Sequence, residues 1–233
     1  MSLRALLAAA ALAAAAGCAS TSADPRDPLE GINRAVYAFN DQVDQIVLAP
    51  AARLYRNLLP DALREMVGNF FNNLDDLFIG ANNLLQGKPA DAVNDWARFA
   101  FNTVFGVLGV WDIASEMGLE KHNEDFGQTL GYWGAGDGPY LVLPLLGAST
   151  LRDAAALPVD WAGDPVTVHR PVDESNAMTA LRLVGRRAQL LEASRTLEEA
   201  SLDRYVFLRE SYLQRRRSLV YDGNPPRERR PAD

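Results

Sequence analysis

One stretch, Asp61 to Gln86, constrains the fold more than any other. Its apolar residues Leu63, Val67, Phe70, Phe71, Leu74, Leu77, Phe78, Ala81, Leu84 and Leu85 recur at helical spacing. This is the mark of one apolar face. The other face carries Asn69, Asn72, Asn73, Asp75, Asp76, Asn82 and Asn83. So many amides and carboxylates exclude a transmembrane helix. The stretch reads as one helix, or as two with a break near Gly80. Gly87 closes it and Pro89 lies beyond, a helix-stop pattern.

The same period recurs along the chain. Asp27 reads as an N-cap, with Pro28 at the first helical position and Glu30 two residues later. Leu29, Ile32, Val36, Phe39, Val43 and Ile46 then form a stripe. A further helix is expected over Ala90–Val107, and a short one within Leu145–Leu157. Ser175 reads as the cap of a long helical region to about Leu219, with Thr196 and Glu199 offering a second start. Alternating patterns are confined to Tyr140–Leu143 and Val166–Val168. The expected class is all-α, with few or no strands.

The N-terminus has a separate logic. Arg4 precedes an Ala- and Leu-rich run, Leu6 to Ala16, followed by Gly17 and Cys18. The run is shorter than the ~18–20 residues that span a bilayer and reads as the h-region of a signal peptide. Small residues before the only cysteine resemble a lipobox, although Ala15 stands where Leu is usual. Residues 1–17 are then a lipoprotein signal peptide and Cys18 an acylated N-terminus. Ala19, not Asp, follows Cys18, which favours the outer membrane. Residues 18–26 read as a tether, 27–222 as one helical domain and 223–233 as a disordered Pro- and Arg-rich tail.

Charge is uneven. Residues 18–181 carry 10 Lys and Arg against 22 Asp and Glu, and residues 182–233 carry 12 against 8. An acidic body argues against nucleic acid as the main partner. The basic end suits anionic headgroups or an acidic protein, or simply complements a helix dipole. His122 and His169 are far apart in sequence, without the clustered ligands a metal requires. No nucleophile motif, P-loop or cofactor fingerprint is present. Catalysis, metal and cofactor are therefore not expected.

The stretch Glu124–Pro144 carries Gly127, Gly131, Gly134, Gly136 and Gly138, with Phe126, Tyr132 and Trp133 among them. Glycine at this density permits unusual backbone shapes. Gly131, Gly134, Gly136 and Gly138 are read as a hinge beside the apolar run Tyr140–Leu143.

Several short sequences together resemble the MlaA (VacJ) outer-membrane lipoproteins of Gram-negative bacteria. They are Asp27-Pro28-Leu29-Glu30 with Asn33-Arg34 and Phe39-Asn40, then Asn82 to Gly87, Arg98-Phe99 with Asn102, and Asp112. Phe126 to Gly131, Gly138 to Pro144, Arg152-Asp153 and Tyr212 to Arg216 follow in order. The resemblance covers about residues 27–220. It implies a ring-like assembly of amphipathic helices around a polar channel, anchored in the periplasmic leaflet of the outer membrane. It also implies association with a trimeric porin. Misplaced outer-leaflet phospholipid would pass through the channel to a soluble periplasmic carrier, MlaC. The path is assigned to the polar residues Asn33, Asn40, Asp41, Asn72, Asn82 and Asn83 and the apolar residues Phe78, Leu84, Leu141 and Leu143. The alternative is a scaffold lipoprotein that moves no lipid.

Overall fold

The computed structural model describes residues 24–226. The expected signal peptide, Cys18 and the end of the tail lie outside the described residues. Helix α1 (Glu30–Val43) continues through a π-helical turn, Asp44–Leu48, into α2 (Ala49–Leu58). Helices α3 (Asp61–Leu85) and α4 (Pro89–Val104) follow, then short α5 (Ile113–Glu116) and α6 (Phe126–Tyr132). One antiparallel hairpin, β1 (Tyr140–Leu143) and β2 (Gly147–Thr150), pairs Tyr140 with Thr150. Helices α7 (Leu151–Gly163), α8 (Pro165–Val168), α9 (Val172–Ala200) and α10 (Arg204–Val220) complete the order. The fold is all-α with one small hairpin.

Helix α3 runs unbroken through Gly80. That glycine serves packing, because a Cβ there would lie 2.5 Å from Trp96 Nε1 on α4. The indole N–H donates to Leu77 O at 3.1 Å and locks the two helices side by side. Gly87, with φ of +75°, ends α3 as a left-handed cap, and Pro89 opens α4. Helix α9 lies along α2 and α3, α6 against α7, and α10 against α6 and β2.

Five local expectations need correcting. Asp27 caps nothing; the first helix begins at Glu30, and Asp27 is fully buried. The helix expected to Val107 ends at Val104, and Val107 and Leu108 take left-handed φ of +52° and +59° in the turn beyond. Val166–Val168 lies in a short helix, because Asp164 accepts from Val166 N and Pro165 sits at the first position. Ser175 lies inside α9, its hydroxyl donating to Val166 O at 2.8 Å. Thr196 likewise turns its hydroxyl to Glu192 O within α9, and the cap of α10 is Asp203, which accepts from Val206 N.

The interior is polar to an unusual degree. Asp27, Asn33, Asn73, Asp76, Asn82, Asn83, Asp95, Arg98 and Asn102 are all buried. The main apolar cluster is small and aromatic, built on Tyr140, Val142 and Tyr205 with Tyr37 and Tyr212 against it. Buried polar groups persist only when paired, and three knots pair Asp27, Asn33, Arg98 and Asn102 among them.

In the first, Asp27 accepts from Asn33 Nδ2 (2.8 Å), Tyr205 Oη (2.5 Å) and Arg209 Nη1 (3.0 Å). Asn33 also donates to Tyr140 O and accepts from Val142 N, tying α1 to β1. In the second, Arg98 holds Asp112 through two 3.0 Å bonds and donates to Leu119 O. Asn102 bridges Asp112 Oδ1 and Ala114 N. In the third, Arg216 grips both oxygens of Asp125 at 2.5 Å and also donates to Asp153. Tyr212 and Arg152 donate to the same Asp153 carboxylate.

Asp27→Ala removes one partner from a buried charge and is expected to destabilise the fold by about 3–5 kcal/mol. Chemical denaturation in detergent measures this. Gly127 and Gly136 give a paired contrast. A Cβ at Gly127 would come within 2.5 Å of Arg216 Nη2, while one at Gly136 meets nothing within 4 Å. Gly127→Ala should therefore lower Tm by several degrees, roughly 1–3 kcal/mol, with Gly136→Ala within about 0.5 kcal/mol of the parent.

Candidate functional site

The surface reverses the interior. Ile46, Val47, Leu54, Leu58, Val104, Phe105, Val107, Leu108, Leu145 and Leu146 are each more than half exposed. Met117, Trp111, Trp133 and Trp161 are also exposed. These residues come from the π-helical turn and α2, the end of α4 and the turns after it, the β-hairpin loop, α7 and the turn after α6. Scattered exposed leucines are ordinary in soluble proteins, but a large apolar surface marks an interaction site. Among the described residues, no helix is long and apolar enough to cross a membrane.

A cavity of about 430 Å³ opens between α1, the hairpin, α9 and α10. Tyr37, Tyr140, Val142, Leu190, Phe207 and Leu208 supply apolar and aromatic wall. Asn40, Asp41, Asp44, Arg187 and Arg204 supply polar wall. Asp44 and Arg187 form a two-bond ion pair at 2.7 and 2.8 Å, and Arg187 also donates to Ser194. One cavity thus offers an apolar wall and a charged wall, the arrangement an amphipathic molecule requires.

The residues assigned to a path fall into separate places. Asn40 and Asp41 line this cavity, and Asn40 also clasps the hairpin loop by donating to Leu143 O and accepting from Leu145 N. Asn33 lies behind the wall in the Asp27 knot. Asn82 and Asn83 are buried between α3, α4 and α6, where Asn82 accepts from Thr129 Oγ1 and Asn83 donates to Asp95 Oδ2. Asn72 lines a second, smaller cavity. Phe78 packs its ring against Gly163, and Leu84 is exposed. Leu141 and Leu143 alternate with the buried Tyr140 and Val142 along β1 and are half-buried.

The glycines also differ. Gly131 lets Arg152 and Val220 approach, since a Cβ would stand 2.9 Å from each. Gly134 and Gly138 have φ of +95° and +67°, a region that favours glycine. The stretch is held at both ends, by Arg216 on Asp125 and by Arg152 on Asp137. Proline at Gly134 would break the turn itself, so Gly136 is the position that probes movement.

Sequence reasoning missed Asp44, Arg187 and Phe207. Asp44 lies more than 140 residues before the other two, 143 positions from Arg187. No periodicity links two helices across such a distance. The one available signal was Asp44 falling off its apolar stripe.

Burial dominates two carboxyls near these elements. It pushes Asp160 up to about 6 against the Phe126 N–H that donates to it, and pushes Asp76 up to about 6 despite Lys121 and Arg98. Asp112 goes the other way: burial raises it, but Ser115, Asn102 and Arg98 outweigh this and hold it at about 2. The raised groups retain a proton in the folded state that the unfolded chain has released between about pH 4 and 6. Their contribution to stability is present below that window and is lost as pH rises through 6. Asp160→Asn keeps the acceptor and removes the titration. It should raise stability by about 1–2 kcal/mol at pH 8 and by nothing near pH 4, as read from paired thermal melts.

With this geometry established, comparisons place the chain among known proteins. A family model described as MlaA lipoprotein matches residues 25–219. The Escherichia coli K12 protein called intermembrane phospholipid transport system lipoprotein MlaA is 34% identical, over 96% of this chain and 91% of that one. The Haemophilus influenzae protein of the same name is 34% identical over 95% of this chain and 90% of its own length. A solved chain from work on the structural basis for maintenance of bacterial outer membrane lipid asymmetry superposes with a TM-score of 0.70. That chain is 33% identical, and the match covers 85% of this chain and 99% of it. The chain belongs to the MlaA lipoprotein family.

Proposed function

We propose that this protein is an outer-membrane lipoprotein, anchored through Cys18 in the periplasmic leaflet. It removes mislocalised phospholipid from the outer leaflet and passes it to a soluble periplasmic carrier, maintaining lipid asymmetry. The observation that carries the reading is the inversion of polarity: charged and amide side chains inside, large apolar side chains outside. An exposed apolar surface is favourable against acyl chains, where hydrophobic side chains lose contact with water. Without a membrane-crossing helix among the described residues, the body would sit in the membrane plane.

A phospholipid has a charged head and two apolar tails. Moving the head through hydrocarbon is costly because its hydration is lost. A passage walled by Asn40, Asp41, Asp44 and Arg187 on one side and by Tyr37, Leu190 and Phe207 on the other lowers that cost by matching each part. Leu84, Leu141 and Leu143 would accompany the tails from outside. The Gly134–Gly138 turn would move to admit lipid, with Gly136 as its least constrained position. The relatives' role in intermembrane phospholipid transport agrees with this reading. A trimeric porin and the carrier MlaC are the partners it requires. Transport of this kind needs binding and release, not bond making.

A photo-crosslinking side chain placed at Leu190 or Phe207 should capture phospholipid in whole cells, and one at exposed Arg53 should not. A scaffold would capture none above annular background at any position. In a deletion strain, the parent chain should restore low surface phospholipid, read with an amine-reactive dye for outer-leaflet headgroups. Gly136→Pro, at unchanged protein level, should restore less than half of the effect if the turn must move.

A further inference from the structure

Among the described residues, the charged groups in the wall of the 430 Å³ cavity are Asp41, Asp44, Arg187 and Arg204, two of each sign. Asp44 and Arg187 close on one another through two bonds. Asp41 is different. It lies one helical turn after Tyr37 and one before Asp44, on the face of α1 that lines the cavity. Its Oδ2 accepts from the neutral Gln45 amide at 2.7 Å, and no ion pair among the described residues includes it. The side chain is only partly buried, and Oδ1 keeps solvent access with no hydrogen-bond partner among the described residues.

We propose that Asp41 selects phospholipids whose headgroup ends in a primary ammonium over those whose headgroup ends in a polyol. The selection rests on the transport reading, because it needs the lipid head in this cavity. An ammonium N–H bonded to a carboxylate is roughly twice as strong as a neutral hydrogen bond. Tyr37, Tyr140 and Phe207 line the same cavity, and ring faces attract cations. The adjoining ring of this cluster already holds one. The Arg34 guanidinium carbon stands 4.4 Å from the Tyr205 centroid, and Tyr205 meets Tyr37 and Tyr140 edge-on at 5.9 and 6.2 Å.

Charge balance points the same way. A zwitterionic head leaves the wall's two positive and two negative groups balanced. A head carrying phosphate alone brings a negative charge toward Asp41 with no cation of its own to offset it. Like charges repel more strongly in a cavity than in open water. The volume suits a headgroup and glycerol, since it falls within the roughly 300–1,000 Å³ of small-molecule sites. Leu190 and Leu208 continue the wall with apolar surface for the start of the tails.

The test reconstitutes the full lipidated chain in vesicles of equal parts dioleoyl phosphatidylethanolamine and dioleoyl phosphatidylglycerol. Identical tails give both lipids the same crosslinking chemistry. A benzophenone side chain at Leu190 reports the cavity, and one at exposed Leu54 on α2 reports the surrounding bilayer. Mass spectrometry counts the two adducts. The ethanolamine-to-glycerol ratio at Leu190 should exceed that at Leu54 by about tenfold, the value of one hydrogen bond to a charged group. Asp41→Asn keeps the side-chain size and the bond to Gln45 but removes the charge. It should bring the Leu190 ratio down to that at Leu54, with an unchanged melting temperature. Equal ratios at the two positions in the parent, or an enrichment that Asp41→Asn leaves intact, overturn the selectivity and leave the transport reading standing. Adducts at Leu54 with none at Leu190 overturn the transport reading, and the selectivity with it.

Discussion

A carboxylate drawn in between helices must be held by several donors at once, and the fold depends on this constraint at three points. Asp27 draws α1, β1 and α10 together through Asn33, Tyr205 and Arg209. Asp112 does the same for α4 and the turn before α5. Asp153 and Asp125 fasten α6, α7 and α10 through Arg216. A conventional apolar core is non-directional and tolerates repacking. Charged knots tolerate little, because a lost donor leaves an uncompensated charge. The result is a framework fixed in geometry though its apolar centre is small.

This framework frees the apolar side chains for the outside. In a soluble helical protein the broad stripes would face one another. Here the knots occupy the space between helices, and much of the Leu, Val, Phe and Trp content faces outward. The 430 Å³ cavity sits where the polar framework and the aromatic cluster meet, so both kinds of wall border it. The same design accounts for the glycines: Gly80, Gly127 and Gly131 let large side chains of a neighbouring element come close, whereas a Cβ at Gly136 would meet nothing within 4 Å.

The helices were legible because a period of three to four residues is a local property. Asp61–Gln86 was read nearly to its observed end, and Gly87 and Pro89 marked the stop correctly. Tyr140–Leu143 was legible as a strand from its Pro-bounded apolar run. Capping failed at Asp27 and Ser175 because the same side chains also serve distant partners, and tertiary bonds to Arg209 and Val166 prevailed. The site was legible in part. Asn40 and Asp41 reached the cavity wall, whereas Asn82 and Asn83 were drawn into the framework by Thr129 and Asp95.

By itself the sequence determined the all-α class, the amphipathic character of the helices and, through its ordered motifs, the family. Each of these is written in residue spacing and identity along the chain. Which face of each helix turns inward was decided only by the tertiary structure. Burial depends on partners 100 to 180 residues away, such as Tyr140 for Asn33 (107 apart) and Tyr205 for Asp27 (178 apart). A polar residue pays its desolvation cost only where such a partner arrives, and that meeting is a property of the assembled fold.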